Sequence, residues 1–215
     1  MATGWTAAHN TAALILMIQA GVKNSIRYGG TFISSDGQHD FVLVNYPDST
    51  PKPSFWGLMA VNSLGGATLL KTVGYDSVNF ATLCGKFGND TILLVIANWN
   101  TYGYLTSYVP NTNSGPWRQY RSILSRLGLS KLPVYQTMNF TLANTPWSDQ
   151  KDTIRYQRFL VDDTAALDLV EDTFLDAKET IDLSIPTISP SVQLIKLIRN
   201  PTSTQVQKKA WQYFD

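Results

Sequence analysis

Residues Ile92 to Ile96, within the stretch TILLVIANW, form an unbroken apolar run. A β-strand points successive side chains to opposite faces, so such a run needs apolar cover on both sides. The preceding stretch NFATLCGKFGND has the same character, and Phe87-Gly88-Asn89-Asp90 between them predicts a hairpin turn. Two packed sheets cover both faces of few strands. One face of this strand is therefore expected to meet a second sheet, and the other a helical segment of the chain.

That segment is legible upstream. Thr6 to Ala20 reads as a helix that is apolar nearly all round, which predicts burial on more than one side. Gly21 ends it, and Val22 to Tyr28 reads as a short strand. The polar loop Ser34 to Asp40 follows, then the apolar run Phe41-Val42-Leu43-Val44. Pro51 and Pro53 hold the next turn extended, and Ser54 is the expected N-cap of a helix from Phe55 to about Leu64, stopped by Gly65-Gly66. From Ala67 the chain changes to short β runs punctuated by Gly, Asn and Pro. LLKTVGY, NFATLCGKFGND, TILLVIANW, TYGYLTSYV, KLPVYQTMNFTL, TIRYQRFLVDD and SVQLIKLIR are strand candidates, and Arg118–Leu127 and Val170–Lys178 are short helix candidates, with a terminal helix or turn over Thr204–Tyr213. The boundary falls at Gly65-Gly66, dividing an α/β segment (1–66) from an antiparallel β-sandwich (67–215).

Composition removes several function classes. A net charge of +1 gives no electrostatic basis for nucleic-acid or anionic-membrane partners. The apolar run Ala12–Val22 is too short to cross a bilayer, and MATGWTAAHN lacks the basic start of a signal peptide. Cys84 is the lone cysteine, which excludes an internal disulfide and a thiolate metal cluster. His9 and His39 are too far apart in sequence for a zinc-binding histidine motif, so neither metal nor cofactor is expected.

The stretch FVLVNYPDSTPKPSFWGLMAVNSLGG resembles the phrase GLxNxxGxPKPAFYAxxxLNxLG at the closing helix of family 39 glycoside hydrolases, the β-xylosidase and α-L-iduronidase group of clan A. RYQRFLVDDTAALDL resembles that family's RxxIDDTHxN segment, and SIPTISPSVQLIKLI its LxLPxxSVxLIxL strand. The resemblance implies that residues 1–66 are the last units of a (β/α)8 barrel and that 67–215 are the sandwich beside it. It implies an extracellular or lysosomal/vacuolar protein with a carbohydrate partner, and it places Tyr28 and Phe32 at the sugar-binding wall, where aromatic rings stack on sugar C–H faces.

A retaining enzyme of this clan needs two carboxylates about 5 Å apart, and in the family both are glutamates, at the ends of the fourth and seventh barrel strands. This chain has two glutamates, Glu171 and Glu179, and neither falls at those positions. The expected catalytic residues in this chain are therefore none. A second chain, or a missing N-terminal region, would carry the pair. Asp36 and Asp40, in the loop after the eighth strand, are read as turn residues in preference to a catalytic pair.

Trp99, Trp117 and Trp147 are candidates for an exposed sugar-binding face or, more simply, for core positions. Asp162-Asp163 reads as a capped turn in preference to a calcium site. Asn89 and Asn139 begin N-glycosylation sequons, which matter in a chain secreted by a eukaryote. The competing function is a non-catalytic carbohydrate-binding or structural β-sandwich protein that docks on a partner through its N-terminal helix.

Overall fold

A computed structural model describes residues 4–22, 43–44, 50–74, 78–132, 134–147, 152–188 and 190–200. Helix α1 (Gly4–Gln19) and helix α2 (Pro53–Asn62) precede β1 (Thr68–Leu70), β2 (Phe80–Phe87) and β3 (Thr91–Asn98). Helices α3 (Thr101–Tyr108) and α4 (Gly115–Leu127) follow. The chain continues through β4 (Thr137–Leu142), β5 (Thr153–Val161), β6 (Ala166–Asp176), β7 (Ile181–Pro186) and β8 (Ser191–Asn200). Six strands form an antiparallel sheet in the order β1-β2-β3-β8-β5-β6, and β4 pairs with β7 in a separate ribbon. The architecture is mixed α/β, dominated by antiparallel pairing. The expected strands over Val22–Tyr28 and Phe41–Val44 and the terminal helix lie wholly or largely outside the described residues. Leu43 and Val44 are described, and Val44 makes an isolated bridge to Pro51.

The apolar run sits where its composition requires. On β3, Leu93, Val95 and Ala97 join a core with Ala7, Ala8, Ala12 and Ile15 of α1 and Ala60 and Val61 of α2. Ile92, Leu94 and Ile96 point the other way, into a core closed by Leu142 of β4, Leu183 and Ile185 of β7, and Trp147. The β2–β3 hairpin turns at Gly88, whose φ of +56° favours glycine. The six-stranded sheet thus carries two helices on one face and the ribbon on the other.

The helices approach each other through small residues. Ala7, Ala8, Thr11 and Ala12 face Ser54, Gly57 and Ala60, and a Cβ on Gly57 would collide with Thr11 Oγ1. Asn10 Nδ2 donates to Ser54 Oγ at 3.1 Å. Ser54 is therefore not the N-cap of α2. The cap position is Lys52, which makes no side-chain cap bond, and Pro53 opens the helix where its missing N–H costs nothing. At the start of α1, Gly4 N–H donates to Asp163 Oδ1 at 2.6 Å, tying the helix N-terminus to the β5–β6 turn.

Two other expectations fail for local reasons. TYGYLTSYV forms α3, not a strand. Asn100 adopts a left-handed backbone and its side chain accepts from Gly103 N–H, which starts the helix. Tyr102, Leu105 and Val109 then meet Tyr120 and Leu124 of α4 in a third core; their spacing is also helical, and the alternating aromatics concealed it. The segment Val170–Lys178 is strand β6 up to Asp176, not a helix. It is an edge strand, exposed along most of its length, so burial leaves no alternation in its sequence. Arg155 and Arg158 of β5 draw its carboxylates into cross-strand pairs with Asp172 and Glu171.

Ile15 is fully buried between α2 and the sheet. Replacing Ile15 with Asp should destabilise the chain by roughly 3–5 kcal/mol, as for an uncompensated buried charge. A denaturation midpoint unchanged from the unsubstituted chain would show that α1 is not packed as described.

Candidate functional site

Of the residues singled out above, Tyr28, Phe32, Asp36 and Asp40 lie outside the described residues. Glu171 is held by Arg158 Nε at 2.9 Å, and Glu179 lies beyond the end of β6, where its carbonyl accepts from Thr145 N–H. Among the described residues no group of three or more His, Cys, Asp or Glu side chains is placed to hold a metal. Asp162 Oδ1 accepts from Thr164 N–H, Thr164 Oγ1 and Ala165 N–H, so this carboxylate closes a turn.

The three tryptophans are packing residues. Trp147 is 1% exposed and donates to Asn89 O at 2.6 Å, pinning the β2–β3 hairpin to the ribbon side. Trp99 donates to Thr101 Oγ1, and Trp117 donates to Val109 O against the α3–α4 core. They present no common exposed face. Asn89, at the hairpin tip, and Asn139, on the outward side of β4, are both exposed.

A groove of about 590 Å³ lies between α1, α2 and the β1–β2 side of the sheet. Leu14 and Ile18 of α1, Phe55, Leu58 and Met59 of α2, and Leu69 of β1 line it, with Asn62 as the sole polar side chain. Among the described residues of that wall, no side chain can donate or accept a proton in a hydrolysis. Leu16 of α1 is 41% exposed and Met59 of α2 38% exposed, so the helices cover the sheet with one side and leave apolar surface on the other. The groove has the chemistry of a packing surface.

Polar side chains concentrate instead on β5, β6 and β8. On the ribbon side, buried Tyr156 lies by Arg158 and Glu171, and Arg158 Nη1 donates to Gln193 Oε1; burial pushes the Tyr156 phenol up to about 12, with the Glu171 charge adding to the effect. On the helix side, Asp172 accepts from Arg155 Nε at 2.9 Å, Arg155 Nη2 at 2.6 Å and Gln157 Nε2 at 3.2 Å. The Arg155 bond foremost, then that of Gln157, holds the carboxyl below its ordinary range. Sequence reading missed this second cluster because it treated β6 as a helix.

No protein-family model matches the sequence, and no curated protein matches it. Solved structures do match its fold. A glucosidase from Croceicoccus marinus shares 18% identity at a TM-score of 0.62, covering 92% of this chain and 42% of its own. The glycoside hydrolase family 39 enzyme from Xanthomonas axonopodis pv. citri gives 13% identity and 0.56, covering 92% and 41%. A glycoside hydrolase family 30 subfamily 8 xylanase from Clostridium acetobutylicum gives 10% and 0.54, covering 92% and 40%. The chain shares its fold with part of a glycoside hydrolase. It spans about two fifths of the length of each of these enzymes. Among the described residues, no helix is long and apolar enough to cross a membrane.

Cys84 is 2% exposed on β2, and burial pushes its thiol up to about 11. It should not react with Ellman's reagent at pH 8 in the folded chain and should react fully in denaturant. Because the folded forms of Cys84 and Tyr156 bind protons more tightly than the unfolded ones, their contribution to stability is complete below pH 9. It is lost as pH rises through about 11 and about 12. A native thiol that titrates rapidly at pH 8, or a melting temperature flat across that alkaline range, would contradict this burial.

Proposed function

We propose that this chain is the C-terminal portion of a retaining glycoside hydrolase resembling family 39. Residues 1–66 contribute the end of a (β/α)8 barrel, and 67–215 form an accessory β-sandwich. The observation that carries the reading is the asymmetric coverage: 92% of this chain matches the glucosidase while it spans 42% of that enzyme. The PKPSFW turn and the two later phrases support it from the sequence, and the apolar outer side of α1 and α2 supports it from the fold. In this reading the catalytic glutamates reside on a preceding region or a second chain, Tyr28 and Phe32 contribute to the sugar wall, and the substrate is a carbohydrate. An extracellular or lysosomal/vacuolar location accompanies it, with glycans on Asn89 and Asn139 in a eukaryotic secretory pathway; both side chains lie off the helical groove.

The rival reading, a non-catalytic protein that docks through α1, draws on the same exposed side of that helix. Activity and mass together separate the two. The 23.9 kDa chain alone should not hydrolyse aryl glycosides. Material isolated from its native source should prove to be a longer polypeptide, or should hold a tightly bound chain with the two glutamates. A folded, partnerless 23.9 kDa monomer from that source would overturn the proposal, and oligosaccharide binding without turnover by that monomer would favour the rival. Turnover abolished by Asp36→Asn or Asp40→Asn would instead locate an active site in the Ser34–Asp40 loop.

A further inference from the structure

Phe174 is 59% exposed, the most exposed of the large aromatic side chains described. It stands on β6 directly opposite Arg155 of β5, and Asp172 stands opposite Gln157. Gln157 is in turn opposite Lys196 of β8, and Arg155 opposite Ile198. These positions share the sheet face on which α1 and α2 pack: Phe159, two residues along β5 from Gln157, joins the helical core, and Lys196 Nζ lies 4.7 Å from the centroid of its ring.

The register lays out two rows. Asp172, Gln157 and Lys196 run across three strands, about 10 Å in all at the usual strand spacing. Phe174 and Arg155 form the adjoining row, about 7 Å further along the strands. Arg155 and Gln157 converge on Asp172, so the three planar groups are held in place by one another before any ligand arrives. The guanidinium and carboxylate cancel, which leaves donors and acceptors with little net field beside an uncovered ring. Among the described residues of these two rows, a polyanion would find Lys196 over the Phe159 ring and Arg155 already paired with Asp172, whereas a sugar finds a ring for its C–H face and fixed partners for its hydroxyls.

We infer that Phe174, Arg155, Gln157 and Asp172 form a binding platform for a neutral pyranose polysaccharide. The inference rests on the glycosidase reading for the ligand class. The platform lies on the β5–β6 edge of the sheet, on strands that follow residues 1–66 in the chain.

Affinity electrophoresis of this chain in gels containing soluble xylan, hydroxyethyl cellulose or dextran sulfate tests it without requiring turnover. Its failure is thereby separable from failure of the catalytic proposal. Retardation by one of the neutral polymers and not by dextran sulfate is expected. Phe174→Ala should weaken that retardation about tenfold in dissociation constant with an unchanged melting temperature, and Gln157→Ala should weaken it as well. No retardation by either neutral polymer, retardation by dextran sulfate alone, or equal retardation of the Phe174→Ala variant would overturn the assignment.

Discussion

The two-sided burial of β3 is the constraint on which the rest of the structure depends. Ile92, Leu93, Leu94, Val95 and Ile96 are each at most 5% exposed. At about 2 kcal/mol for each buried side chain of this size, the run supplies on the order of 10 kcal/mol, as much as the net stability of an ordinary domain. Neither cover can be dispensed with. α1 and α2 close the Leu93–Val95 side, while the β4–β7 ribbon and Trp147 close the Ile92–Ile96 side. The close contact of α1 with α2 follows from this demand, because small residues such as Ala8 and Gly57 bring both helices down onto the sheet.

The same arrangement explains what the helices leave open. α1 is apolar nearly all round; among the described residues the sheet and α2 fully bury the side bearing Ala8, Ala12 and Ile15 and partly bury Leu14 and Ile18. Leu16 and the groove residues Leu14 and Ile18 remain for another surface. A helix of that composition fits a position between two layers of protein, as in an enzyme more than twice the length of this chain. The apolar groove and the two-fifths coverage of the glycoside hydrolase structures are the observations on which the proposed C-terminal portion rests.

How much of this was legible in the sequence depended on whether burial imposed a period. The run on β3, the hairpin at Gly88, α1 and most of α4 were readable because their composition or spacing admits few alternatives. β6 was not, because an exposed edge strand has no buried face to mark, and its order comes from arginines on a neighbouring strand. α3 was not, because its tyrosines alternate like strand residues while Asn100 starts a helix. The site residues were less legible still. Trp99, Trp117 and Trp147, read as core positions in preference to a sugar-binding face, are packing residues, whereas Phe174, in a segment read as helical, is the most exposed ring among the described residues.

Expression of residues 67–215 without the helical segment tests most directly whether β3 needs both covers. With α1 and α2 removed, Leu93, Val95, Ala81 and Leu194 lose their cover. The fragment should aggregate or bind a hydrophobic dye strongly, and its unfolding should lose cooperativity. A soluble, monomeric fragment that unfolds in one sharp transition without binding dye would contradict the account.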